Sequence, residues 1–514
     1  MAQLSSSPAA KRLGTCLVLA LLGACNVFDD DLEKRLDGEN GGPRECRTHP
    51  DCAVRGEEVA CTSAGRCVPL RTDHCAPVVG KLGKDAIVLG SLFSLSGAQA
   101  QTNLPRAQSA ALAVEEINAV GGVPGMGTSK RSLVLVQCDE VADLDAAAGH
   151  LINELKVPAI VGPNVSQDVI TVSNKYSIAG DTVLITPTGV ASSIRDLDDN
   201  NLTWQMIPTD VQRAPLMKNQ LTELETELRS ERPGRDIRLS IIFRNDALGK
   251  GTSVALNDMT LNGRSLNENL SGNHQAATIE PYGATDGARQ MEIVQNQLDF
   301  APDIIVMAGV AEAITQILDP LEKAWTGDDR PYYVMIDSLK VPELLALAAK
   351  DDDLRKRVRG TGIVPTERSR DVFEAFQIDY QTRYSGSSTT ISGMGPSYDA
   401  AFAIAYALAA TRDMPVSGSA VAKGLTLLAG PGNGQPTPIQ GTTVLSAFTQ
   451  LATVKSVQSI GTFAPLDFDA RGAPSVGRVE IWCIAGGVSP QYASSGRIYE
   501  IDTQRFEGVY EQCD

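Results

Sequence analysis

The sequence is poor in residues that several common chemistries require. Only 4 of its 514 residues are histidine, which leaves little material for histidine-based metal or acid–base sites. Basic residues number 45 against 62 acids, and the net charge of −17 argues against general nucleic-acid binding, which needs a basic face. What is present, 43% apolar and 21% charged residues, is typical of a globular chain with two or three domains or one large composite domain.

The N-terminus has the pattern of an export signal. Lys11 and Arg12 precede an apolar run at 13–22, which small residues follow. This order is typical of a secretory signal, and a buried helix start is the alternative interpretation. The segment Leu22-Gly23-Ala24-Cys25 resembles a bacterial lipobox, which implies that residues 1–24 are removed and that Cys25 carries lipid. No other run of 18 apolar residues occurs, so we expect a lipid anchor on the periplasmic or outer-membrane face of the cell envelope.

Most cysteines of the chain follow a polar tether. Residues 25–45 show no apolar period and are predicted to be flexible, and a cysteine-rich module with its linker is predicted at 46–84. Spacing wider than that of zinc ribbons, together with export, favours disulfides over zinc. The sequence permits many pairings, but we expect four cysteines of the module to pair among themselves, Cys75 with Cys138, and Cys483 with Cys513. The four are Cys46, Cys52, Cys61 and Cys67. The module is either a spacer or a partner-docking site.

From residue 86 onward, short apolar segments alternate with helical ones. The pattern predicts strands at 87–93, 133–136, 159–161, 183–185, 239–243, 304–307 and 332–336. It predicts helices at 107–117, 143–155, 169–178, 249–261 and 311–325. Such alternation predicts an α/β fold with parallel sheets covered on both faces. Because it comes in two halves, we expect two lobes with a ligand cleft beyond the carboxyl ends of their strands.

Four ordered segments carry a resemblance to a known family. They read GSLFSLSG at 90–97, AVEEINAVGG at 113–122, AIVGPNVS at 159–166 and LITP at 184–187. The set resembles the branched-chain amino-acid (Leu/Ile/Val) solute-binding proteins, which have the type I periplasmic-binding fold. The resemblance implies two Rossmann-like lobes joined by three crossovers, near 207–208, 362–365 and 464–466. Lobe one is then 85–207 with 364–464, lobe two is 208–363 with 465–485, and 486–514 is a C-terminal extension.

The resemblance also implies ligand-binding residues in lobe one. In the family a ligand carboxylate meets a serine hydroxyl and backbone amides, and Ser166 matches that serine, unless it only caps the following helix. Ser94 and Ser96 lie in the loop after the first strand, where they either face the cleft or cap the next helix. The backbone segment after the turn at 186–187 is matched by Thr188, Gly189 and Val190.

In lobe two the resemblance implies a weaker match. Asp337 stands where the family has the acid that holds a ligand ammonium group, and a capping residue for a helix at 341–349 is the alternative. Leu248 stands where the family often has tyrosine, and Val310 and Ala311 occupy another aromatic position. Lobe two is therefore more apolar, which would also suit a small metabolite other than an amino acid.

No motif of the sequence indicates enzyme chemistry. The segment 249–253 lacks the glycine spacing of a phosphate loop, and no Gly-x-Ser-x-Gly elbow occurs between a strand and a helix. We therefore expect a non-enzyme with no cofactor and no metal. The predicted function is a lipid-anchored solute-binding protein that takes an amino acid or similar small polar metabolite for ABC-type uptake. The alternatives are a sensing lipoprotein that signals to an envelope receptor and a ligand-silent structural lipoprotein.

Overall fold

The computed structural model describes residues 44–271, 274–385, 389, 391–429 and 436–513. The predicted signal peptide, Cys16, the lipidation site Cys25 and nearly all of the tether lie outside the described residues. Within the described ranges, no helix combines the length and apolar character needed to cross a membrane.

Lobe one is built on a six-stranded sheet. Its strands run in spatial order Thr203–Gln205, Val183–Thr186, Ala159–Val161, Ile87–Phe93, Leu133–Asp139 and Cys75–Val79. The first five are parallel. Ile87–Phe93 is buried at every position because helices cover both faces of the sheet. The sixth strand, which falls within the predicted linker, pairs antiparallel to Leu133–Asp139.

The longest helices of lobe one, Ala100–Ala119 and Met394–Ala410, pack against each other. Almost every residue of Met394–Ala410 is buried, which explains its composition of alanine and aromatic residues. Two other helices continue through π-helical turns, Glu140–Gly149 into His150–Glu154 and Ser166–Val172 into Ser173–Ser177. The remaining helices of this lobe are Ile178–Gly180, Ser192–Arg195, Arg370–Arg383, Gly418–Leu425 and Val444–Thr453. Two small sheets pair Val123–Pro124 with Lys130–Arg131 and Pro436–Pro438 with Gln458–Ile460.

Lobe two is built on an eight-stranded mixed sheet. Five parallel strands come first, in the order Ala277–Tyr282, Leu239–Arg244, Ile304–Ala308, Tyr332–Met335 and Val358–Val364. Three antiparallel strands follow, Arg478–Ala485, Gln491–Glu500 and Arg505–Glu507. The predicted C-terminal extension thus continues the sheet of lobe two. The helices of this lobe are Asp210–Glu231, Ala247–Ala255, Leu266–Leu270, Gly287–Phe300, Ala311–Ala313 with Ile314–Leu318 and Asp319–Ala324, Pro342–Ala348 and Asp352–Arg357.

Three connections join the two sheets within the described ranges. The chain leaves lobe one after Gln205, returns after Val364 and leaves again after Ile460. These positions lie beside the predicted crossovers, and the predicted fold class of two parallel-sheet lobes is confirmed.

One predicted helix is wrong at its C-terminal end. The structure has Ala247–Ala255 in place of 249–261, and a hairpin of Thr260–Leu261 with Arg264–Ser265 follows it. The turn of that hairpin is Asn262-Gly263, and both residues have positive φ, 59° and 70°. Asn-Gly is the preferred dipeptide for such a two-residue turn, so local turn chemistry ends the helical pattern.

The cysteine-rich module is a disulfide-linked unit that packs on lobe one. Cys46 pairs with Cys61 and Cys52 with Cys67, which confirms the prediction that these four pair among themselves. The module consists of the 3-10 helix His49–Arg55 and the hairpin Val59–Cys61 with Cys67–Pro69. Its contacts with lobe one include His49 Nε2 at 3.0 Å from the Ala86 carbonyl and His150 Nε2 at 3.2 Å from the Leu70 carbonyl.

Two further disulfides tie distant segments together. Cys75 is bonded to Cys138, which joins the edge strand of lobe one to its neighbour. Cys483 is bonded to Cys513, which holds the C-terminal residues against the sheet of lobe two. Both pairs are those expected from the sequence.

Candidate functional site

A cleft opens between the lobes where the parallel strands of both sheets end. Its free volume is ≈ 680 Å³ including the open mouth. In open α/β sheets, ligands bind at this edge because the loops after the strands converge there. Residues directly at or after the ends of three strands in each lobe line it: Ser94, Asn164 and Thr188 from lobe one, and Arg244, Val310 and Asp337 from lobe two.

Ser166 lines the cleft and keeps its hydroxyl hydrogen available. Its Oγ accepts the backbone N–H groups of Val190 at 3.1 Å and Ala191 at 3.3 Å. An oxygen that accepts two hydrogen bonds still has its own proton to donate, so Ser166 can serve a ligand oxygen. Ser166 is the first residue of the helix Ser166–Val172, whose N-cap residue is Val165, so the capping alternative does not describe it.

The backbone segment predicted to hold an anion is engaged within the protein. The Gly189 N–H donates to Thr186 Oγ1 at 2.9 Å, and the Val190 N–H donates to Ser166. Thr188 and Val190 line the cleft, and Thr188 Oγ1 donates to the Asn164 carbonyl at 2.9 Å. The side chains of this segment shape the cleft, while these two amides support the loop instead of facing a ligand.

The two serines of the first loop have different positions. Ser94 is buried in the cleft wall and donates to Glu140 Oε1 at 2.7 Å. Ser96 is not among the cleft-lining residues; it precedes the short 3-10 helix Gly97–Gln99 without a side-chain capping bond. Glu140 also accepts the Asn164 N–H at 3.3 Å, and burial, with Asp168 nearby, raises its pKa to about 8. At neutral pH Glu140 is therefore mostly uncharged.

Asp337 lines the cleft but already has a cationic partner. Its Oδ2 lies 2.8 Å from Arg213 Nη1, and the two side chains are only 9% and 7% exposed. Asp337 begins a separate 3-10 helix, Asp337–Leu339, so it does not cap Pro342–Ala348. Leu248 lines the same cleft with Val310, which gives lobe two the apolar wall expected from the sequence.

Arg106 is the most prominent cleft residue that the sequence did not predict. Its Nε donates to the Ser392 carbonyl at 2.7 Å, and its Nη1 donates to Asn103 Oδ1 at 2.9 Å. Burial lowers its pKa to about 10, against the attraction of Asp337, so the side chain stays charged at neutral pH. A signal was present in the sequence, since Arg106 lies on the same helical face as the apolar Ala110 and therefore points inward.

The sequence of this chain is similar to those of curated binding proteins. No family model matches the chain. Leu/Ile/Val-binding protein homolog 7 of Brucella abortus (strain 2308) is 29% identical over 197 residues, 38% of this chain and 47% of that protein. The homolog 7 of Brucella melitensis biotype 1 matches equally well. The matched region thus spans about half the length of these curated relatives.

Solved structures match over most of the chain. The branched-chain amino acid transporter substrate binding protein LivJ from Streptococcus pneumoniae, in complex with isoleucine, gives a TM-score of 0.56 at 16% identity, over 80% of this chain and 99% of that one. A periplasmic binding protein type 1 from Bordetella pertussis gives 0.56 at 16%, over 80% and 100%. An ABC transporter solute binding protein from R. palustris, in complex with 4-hydroxybenzoate, gives 0.54 at 16%, over 80% and 96%.

These similarities define the class first: the chain has the type I periplasmic-binding fold. Within that class, its curated relatives are the Leu/Ile/Val-binding proteins, and the resemblance identified from the sequence is confirmed. The similar proteins from Streptococcus pneumoniae and R. palustris are a substrate-binding and a solute-binding protein of transporters.

Proposed function

We propose that this protein is an extracytoplasmic solute-binding protein that closes its two lobes around a small polar metabolite and delivers it to an ABC-type permease. The observation that carries the proposal is the interlobe cleft. Ser166 and Arg106 line it with hydrogen-bond donors that no described residue accepts, and Leu248 lines it with an apolar side chain. Polar groups that fix a ligand within a partly apolar cleft are typical of small-molecule sites. The relatives that bind isoleucine and 4-hydroxybenzoate support a ligand of this size.

Export and anchoring complete the proposal. Four disulfides in the described part of the chain suit an oxidising compartment. The lipobox-like segment at 22–25 would place lipid on Cys25 and hold the protein at the membrane. Mass spectrometry of the mature N-terminus tests this part: a diacylated or triacylated Cys25 supports it, and an unmodified N-terminus contradicts it.

Ligand binding is tested by a thermal-shift screen. The full chain, produced in an oxidising compartment, is screened against amino acids, amides, amines, sugars and carboxylates. A ligand at 100 times its Kd stabilises the bound form by about 2.7 kcal/mol, which gives a measurable shift. We expect Ser166→Ala to weaken a hit at least tenfold, whereas Ser129→Ala, which removes an exposed hydroxyl of lobe one, leaves affinity unchanged. A flat screen on folded protein contradicts the proposal.

A sensing role is the second candidate, and the disulfide module favours it. The module is fixed on lobe one by His49 and by Leu70, which is buried in that lobe's core. A rigid extra unit on one lobe offers a partner a surface that transport alone does not need. Affinity capture with the wild-type chain and with a chain lacking residues 46–70 distinguishes the two roles: only a sensor should lose its envelope partner while it keeps its ligand.

A further inference from the structure

Arg106 is a cleft cation without a carboxylate partner. Among the residues that the structure describes, no acid lies within ion-pair distance of its guanidinium group. The Ser392 carbonyl and Asn103 Oδ1 hold Nε and Nη1, and no described residue accepts a hydrogen bond from Nη2. These two neutral acceptors orient the side chain, while Asp337 and Glu140 act on its charge only from beyond ion-pair distance. Two of the five N–H donors of the guanidinium group are used in this way, and those of Nη2 remain for a ligand carboxylate.

The other charged side chains that line the described part of the cleft are engaged in ion pairs within the protein. Asp337 is paired with Arg213, and Arg244 is paired with Asp246 at 2.5 Å, with Glu312 at 3.7 Å. Asp337 therefore already has its cation, and a ligand ammonium group would have to compete with Arg213 for it. Removing one partner from a buried pair costs several kcal/mol, so this competition is unfavourable.

Glu140 does not replace Asp337 as an ammonium acceptor. Its two oxygens accept hydrogen bonds from Ser94 and from the Asn164 N–H. Its raised pKa keeps it mostly protonated at neutral pH, so it adds little negative charge to the cleft. Among the charged residues that line the described part of the cleft, Arg106 is therefore the one that no ion pair engages.

We propose that the cleft selects a monocarboxylate that carries no ammonium group, with its carboxylate on Arg106 and the Ser166 hydroxyl and its apolar part against Leu248 and Val310. This inference rests on the proposed function, because it names the ligand class of the same cleft. The free donors of Arg106 can bind one carboxylate. The ammonium group of a zwitterion would meet carboxylates that protein donors already engage, and the described cleft offers no second unpaired cation for a dianion. Both outcomes are costly once the lobes have closed over the ligand and water is excluded.

Matched probes test the ligand class by isothermal titration calorimetry at pH 7. Leucine and 4-methylpentanoate share one carbon skeleton and differ in the ammonium group, and leucinamide lacks the carboxylate. Benzoate and phenylalanine form an aromatic comparison, and succinate and inorganic phosphate supply dianions. We expect at least one of the two monocarboxylates to bind, and to bind at least tenfold tighter than every amino acid, amide and dianion tested.

The outcomes separate this inference from the proposed function. Tighter binding of an amino acid, of leucinamide or of a dianion overturns the monocarboxylate inference and leaves a solute-binding protein. Binding of a neutral or cationic hit from the wider screen, with no monocarboxylate bound, does the same. If no compound of either panel binds the folded protein, both proposals fail.

Arginine variants locate the carboxylate. Arg106→Gln is expected to weaken the best monocarboxylate at least tenfold, and Arg106→Lys, which keeps the charge but loses the planar fork, to weaken it less. Arg471→Gln is the matched control, because Arg471 is 58% exposed in a surface pair with Asp196. Urea midpoints of all variants establish that they are folded. Unchanged monocarboxylate affinity in folded Arg106→Gln overturns the inference.

Discussion

The Arg213–Asp337 pair offers a quantitative test of the cleft. Both side chains are at least nine-tenths buried, and their charged atoms are 2.8 Å apart. Asp337→Leu leaves Arg213 charged and buried, and Arg213→Met leaves Asp337 in the same condition. Each change is expected to lower the free energy of unfolding by about 3–5 kcal/mol, because an uncompensated buried charge is costly.

The double variant separates burial from pairing. If the two positions were independent, the losses would add to about 6–10 kcal/mol. With both charges replaced by apolar groups, the remaining cost is the Pro208 carbonyl, which loses its 2.8 Å bond from Arg213 Nε. An unsatisfied buried carbonyl costs about 1–3 kcal/mol, so the double variant should be more stable than either single variant.

Urea unfolding of the oxidised protein measures these differences. The fluorescence of Trp482, fully buried in lobe two, reports the lobe that contains both charges. The matched control is the pair of Lys175 and Asp145, which are 54% and 56% exposed, and whose coupling should not exceed about 1 kcal/mol. If the single variants at the cleft cost less than about 1 kcal/mol, or if the buried pair couples as weakly as this control, the reasoning on cleft charge is refuted.

Three other predictions concern stability and the shape of the cleft. Burial raises the pKa of Asp399 to about 7, so the folded state keeps a proton that the unfolded state releases near pH 4. The free energy of unfolding should therefore fall as pH rises from about 4 to 7. Urea titrations at several pH values should show a smaller slope for Asp399→Asn. Gly393 has φ of 90°, and a Cβ there would collide with Thr188 Cγ2, so Gly393→Ala should destabilise the protein by about 1–3 kcal/mol and weaken ligand binding measured by calorimetry. Cys75→Ala with Cys138→Ala opens a disulfide of sequence separation 63 and should lower the free energy of unfolding by about 4 kcal/mol in the same urea assay.

Each of these predictions has a contrary result. Equal pH slopes in the wild-type protein and Asp399→Asn would mean that this carboxyl titrates normally. A fully stable Gly393→Ala variant that keeps its ligand would mean that the loop adapts to a side chain. Opening the Cys483–Cys513 bridge serves as the comparison for the disulfide prediction. Its sequence separation is 30, so its loss should lower the free energy of unfolding by a few tenths of a kcal/mol less than the loss of Cys75–Cys138. A loss below about 1 kcal/mol on opening Cys75–Cys138 contradicts the argument.

Local patterns were sufficient to predict most of the architecture. Continuous apolar segments such as Ile87–Phe93 predict strands buried on both faces, because parallel sheets are covered by helices on each side. The apolar helical pattern gave a wrong helix end where a turn dipeptide follows it. The hairpin around Asn262-Gly263 replaces the C-terminal end of the helix predicted at 249–261. The pairing of Gln491–Glu500 with Arg478–Ala485 shows that the sheet of lobe two continues into the segment predicted as a C-terminal extension.

The sequence by itself determined the fold class and the position of the cleft, because these follow from periodicity and from the ends of parallel strands. Which cysteines of the module pair with each other was left open by the sequence and decided by the tertiary structure. Only the tertiary structure decided which charges the cleft contains. Asp337 meets Arg213, which lies in another helix of lobe two, and Arg106 is oriented by Ser392, far along the chain. Periodicity indicates that a side chain points inward, but its partner is set by how distant segments pack. For that reason the carboxylate predicted to meet a ligand ammonium group is paired with Arg213 within the protein.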